Sequence, residues 1–237
     1  MDFLPFLLAD RDFYRPIDEI TDIGVEHAVD ALPQDGSQVA SGVWTVCVPA
    51  EGFGAASGWK VHVSAALDRA QQVLDTTSAI CVEQGVPFKY LSNSVFYTWQ
   101  HHKQGSRAQS GKFIAAYPAD VEAARRLMEV LASALEGERG PHILGDRRYR
   151  EGSVVAYRYG AFAEIPRLRP DGTTELLVPD REGRLVKDER GIVFTLPEGI
   201  EDPFAIVEAP PAATAGRTPS ETSGKESAGT GRSDLGA

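Results

Sequence analysis

Three residues stand out for the chemistry their spacing allows. In the stretch Gly58-Trp59-Lys60-Val61-His62-Val63-Ser64, strand alternation separates Trp59, Val61 and Val63 from Lys60, His62 and Ser64. A lysine and a histidine two apart on one strand face point the same way, with their bases roughly 7 Å apart. The third is Lys89, in Gly85-Val86-Pro87-Phe88-Lys89-Tyr90-Leu91, whose apolar neighbours favour desolvation and a lowered pKa. The polar face of the 58–64 strand thus offers a cation beside a titratable imidazole. Taken alone, the 58–64 stretch reads as an edge strand with a solvated polar face. Lys89, with no partner, reads as a surface lysine.

Two further sets supply positive charge. The loop Gly105-Ser106-Arg107-Ala108-Gln109-Ser110-Gly111-Lys112 has small residues that let backbone N–H groups approach an anion, and Arg107 and Lys112 add charge. Its Ser-Gly-Lys lacks the Walker A spacing, so an anion site fits better than a nucleotide loop. Asp146-Arg147-Arg148 and Arg158, which stands between Tyr157 and Tyr159, fit an ionic surface ladder as well as a site. His101-His102 lacks acidic or cysteine partners for zinc and reads as a solvated turn, and His142 as a loop residue. There is no Gly-x-Ser-x-Gly elbow, and neither cysteine adjoins a histidine.

These residues need elements to hold them. Residues 42–49 alternate as a strand, and a glycine-rich turn suggests a long-loop hairpin with 58–64. From Ala65 to about Gly85 the period becomes helical, with Ser64 as cap and Gly85 as stop. A strand–helix–strand crossover often sets its strands side by side, which would bring Lys89 to Lys60 and His62. Residues 93–103 predict a helix, 104–111 a polar loop and 112–118 a strand. Asp120 to Glu136 is the clearest helix, capped by Asp120, with Val121, Ala124, Leu127, Met128, Leu131 and Leu135 in its buried stripe. Strands are expected at 154–159, 175–178 and 192–196. Residues 17–23 predict a short helix or turn and 30–42 a loop. From 209 to 237 the chain is mostly Pro, Ala, Gly, Ser, Thr and Glu, with a few other charged residues, a single Leu and no aromatic, which predicts a disordered tail or linker. The expected architecture is α+β: one domain over 1–208, a twisted, mostly antiparallel sheet flanked by helices, and the tail.

Composition narrows the partners. The 237 residues carry a net charge of −10, which argues against nucleic acid. No apolar run approaches a membrane span, and the start lacks the basic region of a signal peptide. Cys47 and Cys81 are expected as buried free thiols, so a cytoplasmic location is expected.

Several segments together resemble a known family. They are Gly58 to Ala65, Gly85 to Leu91, Ser106 to Phe113, Tyr117-Pro118-Ala119-Asp120, Gly140-Pro141 to Arg148, and Tyr157-Arg158-Tyr159-Gly160. They look like the N-terminal lyase domain of class III and class IV lanthipeptide synthetases, which is related to bacterial effector phosphothreonine lyases. The likeness runs in order through about residues 10–205. Its most specific part is the Lys-x-His pair followed 27 residues later by a lysine. The resemblance implies β-elimination of phosphate from phosphoserine or phosphothreonine in a precursor peptide, giving dehydroalanine or dehydrobutyrine. By that resemblance Lys89 is the base, His62 the acid and Lys60 an electrostatic support. Arg107, Lys112, Arg148 and Arg158 are candidates to hold the phosphate, and Asp146 to orient an arginine. No metal or organic cofactor is implied. In the synthetases a kinase and a cyclase domain follow, whereas here the low-complexity tail follows. The expectation is either a free-standing subunit working with separate kinase and cyclase partners, or an N-terminal fragment. A non-catalytic phosphopeptide-binding module and a scaffold of a synthetase complex are the competing readings.

Overall fold

The computed structural model describes residues 24–205, apart from 31, 33–34 and 103–104. The expected segment at 17–23 and the expected disordered tail at 209–237 lie outside these residues.

The strands are β1 (Ser37–Ser41), β2 (Trp44–Val48), β3 (Ser57–Val63), β4 (Phe88–Leu91), β5 (Ile114–Ala116), β6 (Arg147–Arg148), β7 (Val155–Ala161), β8 (Pro166–Leu168), β9 (Thr174–Pro179) and β10 (Leu185–Lys187). The helices are α1 (Ala70–Glu83), α2 (Ser94–Gln100) and α3 (Val121–Ala134). Among the described residues, β1 to β7 form one sheet in the order β1-β2-β4-β5-β3-β7-β6, and β8 to β10 a second. All the pairings are antiparallel. The α+β expectation therefore holds, with a mostly antiparallel sheet and helices against it.

Strand alternation decides what each face of the large sheet carries. Val61, Phe88, Ala116 and Tyr157 share one row, and Val63, Tyr90, Ile114 and Val155 the next. All eight are buried, in one core with the α3 stripe of Ala124, Leu127, Met128 and Leu131. Burying each such leucine contributes about 2 kcal/mol. Trp59 closes the end of this core, edge-on to Tyr157, Tyr159 and Phe204. Asp120 caps α3 as expected, its carboxylate accepting from Ala123 N–H at 2.7 Å.

Four local expectations give way to tertiary constraints. The 58–64 stretch is central, not an edge: β5 and β7 flank β3. The proposed hairpin of 42–49 with 58–64 does not form, because β2 pairs instead with β1 and β4. β1 lies in the stretch read as a loop; Ser37–Ser41 is exposed, and is held by its ladder to β2 and by Gln38 Nε2, which donates to Tyr90 OH at 2.8 Å. Residues 192–196 are not a strand, although Ile192 C=O accepts from Gly145 N–H. In addition, Ser64 does not cap the first helix. A 3-10 turn (Leu67–Arg69) intervenes, because Ala66 N–H is taken by Arg139 C=O.

Candidate active site

The crossover from β3 through α1 to β4 does not put its strands side by side. β5 inserts between them, so that Lys89, Ala115 and His62 occupy one row of three strands. The row continues through Ala156 on β7 to Arg148 on β6. Lys89 and His62 still share a face, two strand spacings or roughly 10 Å apart at the backbone. The residue between them is an alanine, and that leaves open space above the sheet. A cavity of about 410 Å³ fills that space, within the size range of small-ligand sites.

Among the described residues, five cationic side chains line it, Lys60, Lys89, Lys112, Arg158 and Arg190, against one carboxylate, Glu164. In a chain of net charge −10, this is a local concentration of positive charge. Lys60 and Arg158 are cross-strand partners on β3 and β7. Room for Lys60 comes from Gly160, where an added Cβ would meet Lys60 Cε at 3.4 Å. Trp44, Tyr117 and Phe162 form apolar walls, and Lys89 Nζ lies 4.5 Å from the Trp44 ring centroid.

Burial and mutual repulsion depress the lysines. Lys89 falls from 10.5 to about 8, first through desolvation and then through the charge of Arg190, with Glu164 opposing. Lys60 falls further, to about 7, by desolvation and by Arg190, Lys89 and Arg158. Lys112 is lowered chiefly by burial, with Asp146 working against the shift.

His62 is buried, and its Nδ1–H donates to Asp146 Oδ2 at 2.5 Å. Burial pushes the imidazole down to about 4, although Asp146 favours the cation. Burial would raise the Asp146 carboxyl, but His62 and Lys112 outweigh it and hold the group below the usual carboxylate range. The bond to Asp146 fixes one tautomer, so Nε2 is the nitrogen left to exchange a proton with a ligand. Among the described residues, Asp146 Oδ1 has no hydrogen-bond partner; Lys112 Nζ faces it from 3.6 Å.

A second carboxylate organises the arginines. Asp188, buried, accepts from Arg158 Nη2 at 3.0 Å and from Arg190 Nε at 2.8 Å. Arg190 Nη1 also donates to Glu164 at 3.2 Å. The segment carrying Asp188 and Arg190 meets the one carrying Asp146 where Gly145 N–H donates to Ile192 C=O at 3.1 Å. Gly145 has φ +79, and a Cβ there would sit 2.3 Å from Gly191 O.

Of the residues singled out in the sequence, Lys60, His62, Lys89, Lys112 and Arg158 meet in this cavity, and Asp146 lies behind His62. Asp146 orients the histidine rather than an arginine. Arg107 and Arg148 are exposed and do not line the cavity, although Ala108 and Gln109, beside Arg107, do. His101 and His142 are exposed, as expected, and Cys47 and Cys81 are buried free thiols. Glu164, Asp188 and Arg190 were not singled out in the sequence, where they stand in charged stretches with no motif around them. Sequence reasoning also missed Ala115 and Tyr117, which alternation along 112–118 would have placed on one face.

Comparison with known proteins agrees with the segment pattern. Residues 24–216 match the family model described as RamC, N-terminal domain. A probable SapB synthase of Streptomyces coelicolor is 40% identical over 172 residues. The match covers 73% of this chain and 18% of the synthase's length. Among solved structures, the phosphothreonine lyase effector VirA (SpvC) of Chromobacterium violaceum is 21% identical with a TM-score of 0.41. That alignment spans 54% of this chain and 67% of the effector. The phosphothreonine lyase OspF of Shigella flexneri is 17% identical at a TM-score of 0.42, over 54% and 71%. The chain belongs to the RamC N-terminal domain family, the group of lanthipeptide synthetase N-terminal domains that its Lys-x-His segments resemble.

Proposed function

We propose that the chain is a lyase that eliminates phosphate from phosphoserine or phosphothreonine in a lanthipeptide precursor, leaving dehydroalanine or dehydrobutyrine. The observation that carries this reading is the Lys89–Ala115–His62 row under a cation-lined cavity. The phosphate sits among Lys60, Lys112, Arg158 and Arg190, which offset the charge of the dianion and of the enolate-like transition state. Neutral Lys89 takes the Cα proton, and that electron pair forms the Cα=Cβ bond. The Cβ–O bond breaks, and His62 Nε2 gives its proton to the leaving oxygen. Products are the alkene and hydrogen phosphate; the two protein groups have exchanged one proton each with the substrate.

The depressed pKa of Lys89, about 8, supplies a useful neutral fraction near neutrality. In the empty cavity the imidazole is neutral, and the arriving dianion raises its pKa and loads the acid. Phosphorylation and ring closure are assigned to separate kinase and cyclase units, as subunits or as domains of a longer chain. The reaction is assigned to the cytoplasm, without metal or organic cofactor.

The test is incubation with a phosphoserine peptide, read by mass spectrometry for loss of phosphate, with thiol addition to the new alkene as a second readout. Lys89→Ala and His62→Ala are expected to lower turnover by at least 10²-fold while retaining phosphopeptide binding. A wild-type chain that binds such peptides tightly and never eliminates phosphate would establish a phosphopeptide-binding module instead.

A further inference from the structure

Arg190 is held by two unlike carboxylates. Asp188 is buried and also braces Arg158, so its bond to Arg190 Nε is part of the wall. Glu164 lies at the mouth, its side chain 70% exposed against 24% for Arg190. It is the only carboxylate among the described residues lining the cavity, and its bond to Arg190 Nη1, at 3.2 Å, is the longer of the two. An arginine with one permanent and one solvent-exposed partner can exchange the second. The anion with most to gain there is a phosphate, which offers more charge and more acceptor oxygens than a carboxylate.

We propose that Glu164 is a built-in competitor for phosphate on Arg190: it holds the guanidinium in the empty cavity, yields it to substrate phosphate and takes it back as the product leaves. The proposal rests on the reading of the cavity as a phosphate site and goes beyond it by assigning a residue to release. A cavity with five cations and no competing anion would retain hydrogen phosphate after the bond to carbon has broken. Glu164 lowers the affinity for substrate and product alike, which favours turnover when release is slow. Phosphate reaches this site as the monoester of the peptide or as the free ion, and the two are measured separately.

The experiment titrates inorganic phosphate into the full chain by calorimetry and, in a second arm, measures phosphopeptide kinetics. For Glu164→Gln, phosphate is expected to bind about three- to fivefold tighter, the range for a partly exposed ion pair. KM for the phosphopeptide and the inhibition constant of phosphate should fall together. Glu189→Gln removes one charge outside the cavity, where Glu189 pairs with Lys187, and should leave phosphate affinity unchanged. The double variant Glu164→Gln with Arg190→Gln should show none of the gain, because the competition needs the arginine. Unchanged or weaker phosphate binding by Glu164→Gln overturns the proposal, and so does equal tightening by Glu189→Gln. Both results are read from phosphate binding alone. An absence of elimination in the second arm would instead count against the lyase reading.

Discussion

The proton inventory of the cavity sets the pH response of individual residues. In the proposed reaction Lys89 must be neutral and His62 protonated. With Lys89 at about 8 and His62 at about 4 in the free enzyme, the two fractions change in opposite directions between those values, so kcat/KM is expected to stay level up to about pH 8 and to fall above it. Arg190→Gln removes the second-largest influence on Lys89, and the pH at which the fall begins should move higher. A profile that stays level from pH 8 to 9.5 would remove Lys89 from that role. Lys60, Lys89, His62, Lys112 and Arg158 were legible from residue type and spacing, because a strand fixes which neighbours share a face. Asp146 was legible as a site residue but not as the partner of His62, since 84 residues separate the two. Nothing in Asp188-Glu189-Arg190 distinguishes it from a solvated charge run; only the fold turns Asp188 inward.

Among the elements, β5 matters out of proportion to its three residues. Periodicity marked it as a strand, and the crossover from β3 to β4 suggested that those two strands were neighbours. The insertion of β5 between them is a non-local pairing, which local pattern cannot specify. It separates Lys89 and His62, the proposed base and acid, by one strand more than expected and makes Ala115 the floor between them. Ala115→Leu is therefore expected to fill the space that the substrate needs. Elimination should fall at least 10²-fold, while far-UV circular dichroism and the melting temperature stay near wild type, because the new side chain projects into a cavity rather than a packed core. Retained activity with a normal KM would place the substrate elsewhere. β1 was missed for the opposite reason: a short exposed strand carries no alternation signal, and its pairing with β2 defines it.

For the molecule as a whole, assembling the cavity has a stability cost. Lys60 gives up its proton near pH 7 when folded and near 10.5 when unfolded. Between those values the unfolded chain binds more protons, so stability climbs as pH rises from about 7 to about 10.5. Below pH 7 the full penalty stands. Lys60→Met is expected to stabilise the fold at pH 6.5 by on the order of 1–2 kcal/mol, raising the melting temperature by several degrees. The gain should vanish near pH 10.5. A thermal-melt series over pH measures both, and a loss of stability at pH 6.5 would contradict a strained lysine. The helix-covered side of the sheet was the easiest part to read, because the α3 stripe and the alternating strands both announce a core.

The close backbone contact at Gly145 has a consequence in time rather than in space. It joins the segment that carries the partner of His62 to the segment that carries Arg190, so in the proposed reaction proton delivery and the hold on the departing group are expected to shift together. A side chain at 145 would have to displace Gly191 O, only 2.3 Å from its Cβ. In Gly145→Ala the Cα proton should still leave and return while the Cβ–O bond waits. In heavy water the intact phosphopeptide recovered from this variant is then expected to carry deuterium at Cα, a label that the wild-type reaction, committed to completion, would not deposit. Unlabelled substrate from an active Gly145→Ala variant would show the two motions to be independent.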